Sequence, residues 1–501
     1  MEGMAFRERL RRLLFRFPGA LATIGILDRR KGEEAFDLAL PVMVTGGMRT
    51  SLRIADFLMV GIAIGGAAIA GLELGFQYYF IAFGLSLALS SGTISLVSRD
   101  IGAGRPADAD FAVKQSLWLA LLVSVPITLA TWVYADGMIG LLTDDPRTID
   151  LGATYLRIVM LSAPLRFWGM IAGRALAGAG DTRTPMYVRL ATLPTNVALN
   201  AALIFGLGPA PRLGVAGAAT GTAVANALAA VVFFGLLVSG RYSVRLRLGG
   251  KQWDTDTARE LVRVGLPLAG TRLGRTFGRF PFLFVLAALG TQYVAAYAIG
   301  RRVMLLAMMP AWGYSTASST LVGQHVGAGA AEVADEYGWQ VLRLALVTQL
   351  LIGAVLVIAA RPIAAAFGTE NVSIAVGFIR VFGLGVAGFS VSRTMRGGLR
   401  GAGDTTWPFY GTVLGTYFVR LPIAALALPT GYALSIGGWN LSGFAVPAVD
   451  LSIGFGLGLP AVYVAILGSF YVKAIVNTAR FRSGAWKGVA RRAEAASAGD
   501  D

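Results

Sequence analysis

Cysteine is absent from this chain of 501 residues, and histidine occurs only once, at His325. These two absences exclude disulfides, cysteine–metal sites and any histidine-rich metal cluster. A serine–histidine–aspartate triad would have to use His325, which lies in a stretch that reads as a charged loop, so we expect no such triad. The sequence therefore predicts a protein that is not an enzyme and that needs no cofactor.

A phosphate-binding loop of the form G-x-x-x-x-G-K-[ST] is also absent. The nearest stretch, LGGKQW at 248–253, lacks both the spacing and the hydroxyl residue of that motif. We therefore expect no ATP-driven step of this kind. Any transport that the chain performs should be driven by an ion gradient or run downhill.

Charged residues are scarce, at 14% of the chain against roughly a quarter in soluble domains. Apolar residues make up 55%, the mean hydropathy is +0.65, and 65 glycines suit closely packed transmembrane helices. The sequence therefore predicts an integral membrane protein. The net charge of +16 fits basic loops on one side of a membrane better than a nucleic-acid groove, since no basic patch is interleaved with stacking aromatics. We expect no nucleic-acid partner.

Apolar runs of about twenty residues, the length that crosses a bilayer, occur twelve times. They lie near residues 36–62, 67–96, 112–134, 152–176, 186–206, 214–238, 260–289, 293–321, 338–360, 373–396, 408–428 and 453–476. The stretch 429–450 is apolar but interrupted by glycine and proline. We expect an ordered loop there, with a half-inserted segment as the alternative.

Lysine and arginine concentrate in alternate loops, including 99–105, 241–251 and 393–404. Such loops face the cytoplasm, so we expect both termini on the cytoplasmic side of the cell membrane. Residues 1–34 combine apolar positions at helical spacing, such as Phe6, Leu10 and Phe17, with nearby arginines. This pattern is typical of an interfacial helix that lies on anionic membrane lipid.

The chain repeats itself internally. LAGAGDTRTP at 176–185 recurs as LRGAGDTTWP at 399–408, an offset of 223, and RDIGAG at 99–104 recurs as QHVGAG at 324–329, an offset of 225. The repeat predicts an all-α membrane protein with twelve transmembrane helices in two six-helix lobes. Because six is even, both lobes enter the membrane from the same side and are related by a parallel pseudo-two-fold around a central cleft. We place the N-terminal segment at 1–34, the N-terminal lobe at 35–240, a cytoplasmic linker at 241–258, the C-terminal lobe at 259–480 and a tail at 481–501.

Arginines form matched stripes on the first and seventh helices. Arg49 and Arg53 are four residues apart, and an offset of 226 leads to Arg275 and Arg279, with Arg272 one turn earlier. Inserting an arginine into the middle of a transmembrane helix costs roughly 2.5–3.5 kcal/mol on insertion scales. We therefore expect the stripes to face the cleft or an internal polar network rather than lipid.

The doubled GAGDT loops, the six-plus-six layout and VGQHVGAG at 322–329 resemble the multidrug and toxic compound extrusion (MATE) family over roughly residues 35–480. The resemblance is nearest to the prokaryotic DNA-damage-inducible branch. It implies export of small amphiphilic, often cationic, compounds in exchange for protons or sodium ions. The proton or sodium ion would be the coupling ion, and no cofactor is expected. We expect a monomer.

The resemblance also implies an ion site in the N-terminal lobe. Asp56 precedes FLMVG where the family has its aspartate, Asn196 and Asn200 stand in TNVALN on helix 5, and Thr222 stands on helix 6. Asn200 departs from the family, which has a carboxylate there, so one titratable group is lost. Glu73 on helix 2 is a second intramembrane carboxylate and a further candidate, with packing near the membrane surface as its alternative. The alternative for Asp56 is a structural ion pair with Arg53 at i, i+3.

Three interpretations of function remain open at this level. A proton-coupled multidrug exporter follows from the resemblance. An exporter or flippase of an anionic amphiphile or lipid-linked precursor follows from the arginine stripes, since guanidinium groups attract carboxylates and phosphates. A receptor or scaffold without turnover is the third. Tyr293 and Tyr297 are candidates for the cleft wall, with aromatic packing as their alternative. The GAGDT loops are expected to end one helix and cap the next.

Overall fold

We describe the fold from a computed structural model. The structure describes residues 14–64, 66–141, 143–367, 371–436, 439–441, 444–446, 449–452 and 454–489. Within these ranges the side chains of Arg53, Asp56, Glu73 and Arg272 lie outside the described part. The N-terminal arginines at 7–12 also lie outside the described residues.

Within the described residues, twelve helical spans follow one another, as the sequence predicts. They are numbered here as span 1 (Arg29–Ile64), span 2 (Gly66–Gly102), span 3 (Pro106–Gly140), span 4 (Pro146–Leu161 and Ala163–Gly178), span 5 (Arg183–Phe205), span 6 (Val215–Val238), span 7 (Thr255–Phe277 and Arg279–Leu289), span 8 (Thr291–Ala307 and Met309–Gly327), span 9 (Ala331–Ile358 and Ala360–Ala366), span 10 (Val372–Gly401), span 11 (Thr406–Val413, a π-helix at Leu414–Arg420, and Leu421–Ala425) and span 12 (Gly458–Arg482).

Apolarity distinguishes most of these spans but not all. Among the described residues, seven unbroken helices are long and apolar enough to cross a membrane, or nine if each of two bent pairs counts as one span. The spans that fall short are 1, 7 and 11. Span 1 carries Arg49, Arg53 and Asp56, span 7 carries five arginines and a break at Gly278, and span 11 is divided by its π-helix.

Each half of the chain has its own apolar core. The core of the N lobe (spans 1–6) includes Leu156, Ile171 and Phe233, and that of the C lobe (spans 7–12) includes Phe282 and Phe378. The lobes meet where span 1 packs on span 8 and where span 2 packs on spans 7 and 8. The first two spans of the N lobe thus pack on the first two spans of the C lobe, which is the arrangement that a parallel repeat predicts.

The repeated GAGD loops end their helices in the same way. Gly180 and Gly403 adopt left-handed φ angles of +96° and +83°, and the following aspartates donate their amides to Leu176 O and Leu399 O, both at 2.8 Å. This is the Schellman ending, which favours glycine at the left-handed position. Asp181 then accepts from the amide of Thr184, which caps span 5, as predicted. Its repeat partner Asp404 instead pairs with Arg480.

Several residues that the sequence assigned to loops are helical. RTMRGGLR at 393–400 belongs to span 10, and His325 belongs to span 8, where its Nδ1 lies 2.8 Å from Leu321 O and its ring stacks on Tyr337. The glycine pair in span 10 was misleading because it serves packing. A Cβ at Gly397 would lie 3.0 Å from the carbonyl carbon of Ser315, so glycine lets two helices approach closely.

The connection between spans 11 and 12 is more regular than predicted. Strand β1 (Ala433–Ile436) pairs with β4 (Val449–Ser452), and β2 (Trp439–Leu441) pairs with β3 (Phe444–Val446), both antiparallel. The ordered loop expected here thus contains two short antiparallel strand pairs, which the sequence did not predict.

The N-terminal segment packs on protein where it is described. Phe15 and Phe17 lie against Phe36 of span 1, with ring centroids 5.4 and 6.3 Å away. Leu21 and Leu27 are buried in a cluster that also contains residues of spans 8 and 9. This part of the segment contacts both lobes, whereas the prediction assigned its apolar face to lipid.

Candidate substrate cavity and ion-coupling site

A cavity of ≈ 50 Å³ lies between the two lobes. It has room for only a few water molecules. Spans 2 and 4 contribute from the N lobe and spans 7, 8 and 10 from the C lobe. Its lining residues are Gly84, Leu87, Ala88, Ser91, Arg174, Leu268, Thr271, Arg275, Trp312, Ser315, Arg393, Arg396 and Arg400.

Five of these lining residues are arginines and none carries a carboxylate. Three of them hydrogen-bond to neutral groups. Arg174 donates to Thr316 Oγ1 at 3.2 Å, Arg400 donates to Ser319 Oγ at 3.1 Å, and Arg275 reaches Thr271 O at 3.4 Å. The guanidinium of Arg393 lies 4.1 Å from the ring centroid of Trp312. Hydroxyls, carbonyls and a π face help to orient these cations, and a wall that presents five guanidinium groups gives the cavity a positive potential.

The two lobes contact each other at one end of the cavity, next to the repeated GAGD loops. Gly102 of span 2 lies so near span 8 that a Cβ there would be 2.7 Å from Gln324 Cα. Gly327 of span 8 lies equally near span 2, since a Cβ there would be 2.6 Å from the carbonyl carbon of Arg99. Arg99 also forms an ion pair with Glu260 of span 7. We call Gly102, Gly327 and the Arg99–Glu260 pair the closed end.

Hydrogen bonds between the lobes support the closed end. Thr320 donates to Ala177 O at 2.7 Å, Gln324 to Gly178 O at 3.1 Å, and Ser95 to Arg400 O at 2.7 Å. All three use backbone carbonyls near the ends of spans 4 and 10, next to the GAGD loops. The repeated motifs therefore both end helices and present acceptors to the opposite lobe.

The structure brings together three of the residues assigned to ion coupling. Asn196 of span 5 donates to Thr222 Oγ1 of span 6 at 3.3 Å. Asn200, one turn further on, is 1% exposed and faces Gly221, where a Cβ would lie 3.0 Å from the Asn200 backbone nitrogen. Span 1, which carries Asp56, packs against span 5. The side chains of Asp56 and Glu73 lie outside the described residues.

Of the residues assigned to the cleft, Arg275 lines the cavity. Arg49 is half-buried in span 1, and Arg279 is exposed at the start of the second helix of span 7. Tyr297 is 5% exposed in an aromatic cluster with Phe282 and Phe378, and Tyr293 packs beside that cluster. Neither tyrosine is among the described lining residues, which agrees with their alternative role in packing.

Four lining arginines were missed by the sequence analysis. Arg393, Arg396 and Arg400 are spaced by three and four residues, the signature of one helix face, but their stretch was taken for a loop. Arg174 lies just before the first GAGD loop, and the offset of 223 relates it to Gly397. Comparison of the two halves therefore does not identify Arg174 as a lining residue.

A second N-lobe network was also missed. Arg166 donates to Asn226 Oδ1 at 3.0 Å, Asn226 donates to Ser162 Oγ at 3.1 Å, and the guanidinium lies over the rings of Tyr79 and Phe83. The sequence feature that could have revealed this network is Arg166 itself, an arginine in the middle of an apolar span. The other tyrosine of span 2, Tyr78, donates to Met138 O at 2.6 Å and thus ties span 2 to span 3.

Known proteins resemble the chain over both lobes. A family model described as MatE matches residues 41–202 and 267–426. A protein of Thermotoga maritima named "Probable multidrug resistance protein NorM" is 29% identical over 414 residues, which span 81% of this chain and 88% of that protein. A protein of Shewanella oneidensis named "FAD transporter" is 25% identical over 352 residues, 69% of this chain and 76% of that protein. A solved structure described as "Crystal structure of MATE in the straight conformation" superposes with a TM-score of 0.80 at 20% identity, over 92% of this chain and 97% of that one.

Proposed function

Because the chain belongs to the MatE family, we propose that it is a secondary transporter that exports small amphiphilic compounds from the cell by alternating access. The observation that carries this proposal is a cavity built by both lobes and shut at one end by contacts between them. Relatives named for multidrug resistance support a broad substrate range. Export places the protein in the cytoplasmic membrane, with both termini in the cytoplasm as the basic loops indicate.

Alternating access requires the closed end to open. The two glycine approaches and the Arg99–Glu260 pair involve only spans 2, 7 and 8, so rocking one lobe against the other would separate all of them together. The two main apolar cores lie largely within one lobe each, so such a movement would leave most of their packing in place. The cavity would then exchange access from one side of the membrane to the other.

We propose that Asp56 carries the coupling ion, a proton, within the polar cluster of Asn196, Asn200 and Thr222. A carboxylate among amides and hydroxyls can exist in both protonation states, because these groups donate to the charged form and accept from the neutral one. Sodium coupling is the competing possibility, since the same oxygens are hard ligands. Exchanging a proton gradient for a sodium gradient at fixed pH would separate the two.

A second candidate is export of an anionic amphiphile, and the five lining arginines favour it. A positively charged cavity repels cationic drugs and attracts carboxylates and phosphates. The relative named as an FAD transporter fits this polarity, because FAD combines an aromatic ring system with two phosphates. A receptor without turnover is the remaining alternative.

Flux into proteoliposomes under an imposed pH gradient tests these candidates side by side. One cationic dye and one anionic flavin are compared at matched concentrations. Movement of the dye alone supports multidrug export and makes the arginines structural. Movement of the flavin alone supports the anionic substrate. Binding of either compound without gradient-dependent flux would overturn the transporter proposal.

A further inference from the structure

A second group of cations lies inside the C lobe, beyond the central cavity. Lys473 of span 12 is within electrostatic range of Arg275 and Arg396, which line the cavity, and of Arg420 on span 11. Arg420 is in turn near Arg301 of span 8, and both are near Tyr297. The positive potential of the cavity therefore continues into the lobe.

The π-helix of span 11 shapes this region. Its wider turn at Leu414–Arg420 places Gly415 against Lys473, where a Cβ would lie 2.8 Å from the lysine Cγ. Such π turns occur mostly as single insertions and are frequent at functional sites. The same turn carries Thr416 and Arg420. Thr416 Oγ1 and the Nε of Arg420 are buried and have no hydrogen-bond partner among the described residues.

Arg420 is held rigidly by neutral groups. Its guanidinium stacks 3.7 Å from the ring centroid of Phe282, and its Nη2 donates to the hydroxyl of Tyr297 at 3.0 Å. Lys473 donates to Ser469 Oγ at 2.8 Å. The ring and the hydroxyls fix both cations in place and leave further donors of the guanidinium and the ammonium for a ligand.

Carboxylates do not balance these charges among the described residues. The ion pairs that the described C-lobe residues form lie near span ends, as between Arg480 and Asp404. A buried cation without a counter-ion is costly, whereas an incoming anion that accepts its hydrogen bonds removes that cost. The arrangement therefore suits a ligand that brings several acceptor oxygens and a negative charge.

We propose that Lys473, Arg420 and Thr416 form a phosphate-binding subsite in the C lobe, so that the exported molecule is a phosphorylated amphiphile. This inference rests on the proposed transport function. Once the lobes move apart and enlarge the central cavity, the apolar part of the molecule would lie there beside Trp312 and Leu268. Its phosphate would reach past Arg275 and Arg396 to the π-helix. A phosphate provides about two negative charges and three acceptor oxygens for the three donors.

Matched ligand pairs that differ by one phosphate test the subsite. Riboflavin and FMN represent a soluble source of the phosphate, and farnesol and farnesyl phosphate represent a membrane-borne source. Binding of each is measured to the purified full chain in nanodiscs. We expect the phosphorylated member of at least one pair to bind about tenfold or more tightly than its neutral partner. Equal affinities within both pairs would overturn the proposal.

Variants locate the effect. Lys473→Met should reduce the preference for phosphate about tenfold or more while leaving the affinity for the neutral partner unchanged. Lys473→Arg should retain the preference, and Thr416→Val, which keeps the side-chain shape, should weaken it severalfold. Arg380→Met removes a charge at an exposed position of span 10 and is the matched control. If Lys473→Met and Thr416→Val both leave the preference intact, the subsite is wrong.

Flux separates this inference from the proposed function. A chain that moves an amphiphile under a gradient but shows no phosphate preference contradicts the subsite and leaves the transporter proposal standing. A chain that prefers phosphate in binding but moves no ligand contradicts the transporter proposal. Inorganic phosphate alone is included in the binding series, and an affinity equal to that of FMN or farnesyl phosphate would overturn the amphiphile as the substrate class.

Discussion

The closed end offers the sharpest test of how the lobes move. Replacing Gly327 by alanine would put a Cβ 2.6 Å from the carbonyl carbon of Arg99, far inside the roughly 3.5–4.0 Å of an ordinary carbon contact. The opposite atom is backbone, so it yields only if the lobes separate. Overpacking of this kind costs about 1–3 kcal/mol, which corresponds to about a 5- to 150-fold shift towards the open arrangement. Gly102→Ala should act in the same way.

The absence of cysteine makes the assay direct. A single cysteine at Ser91, which lines the cavity and is 4% exposed, reports access for a membrane-impermeant maleimide added at the loop end. Faster labelling is expected in Gly327→Ala and Gly102→Ala than in the parent chain. Gly235→Ala is the matched control, since no atom of the described residues lies within 4 Å of a Cβ there. Unchanged labelling with undiminished flux in both variants would refute a closed end made by these glycines.

Three further changes probe other parts of the molecule. Asp56→Asn should abolish gradient-driven flux while the purified protein keeps its helical circular dichroism, and undiminished flux would remove Asp56 from the coupling. Arg275→Gln with Arg393→Gln should weaken binding of anionic ligands selectively, and an equal loss for a cationic dye would instead indicate destabilised lobes. Asp254→Ala should lower the stability of span 7 by about 1 kcal/mol in thermal unfolding, because Asp254 caps that span through Thr257. The bond from Lys251 and that cap hold the pKa of Asp254 at about 2, so its stabilisation is present above about pH 4 and is lost as the pH falls through the folded value. An exposed neighbour, Asp256→Ala, is the control, and equal losses would mean that the cap contributes nothing.

The internal repeat made the architecture predictable, because a fixed offset relates loops whose backbone chemistry is the same. Gly180 and Gly403 end their helices alike, and the two aspartates that follow make the same backbone bond. Their side chains then diverge, one capping span 5 and the other pairing with Arg480. The backbone conformation of one loop could therefore be predicted from its repeat. The partners of the side chains could not, because they depend on how spans distant in the sequence pack.

The polarity of the cavity was only partly predictable for the same reason. Arg275 was identified because a stripe in one lobe matched a stripe in the other. Arg174 has a glycine as its repeat partner, and the glycines between Arg396 and Arg400 resembled a loop until their tight contact with span 8 explained them. The pairing of Asn196 with Thr222 was anticipated only through family resemblance, since neither residue type signals a partner by spacing.

Charge movement provides a last test that separates the two candidate substrates. Export of a monovalent cation in exchange for one proton moves no net charge, so its rate should not respond to the membrane potential at a fixed pH gradient. Export of a phosphate dianion in exchange for one proton moves about three charges in the same direction. At about 2.3 kcal/mol per charge per 100 mV, an inside-negative potential of 100 mV adds about 7 kcal/mol to that cycle. Proteoliposomes with a potassium diffusion potential set by valinomycin measure this directly. Anion flux that ignores the potential would contradict a proton-coupled anion exporter, even if the arginines bind the anion.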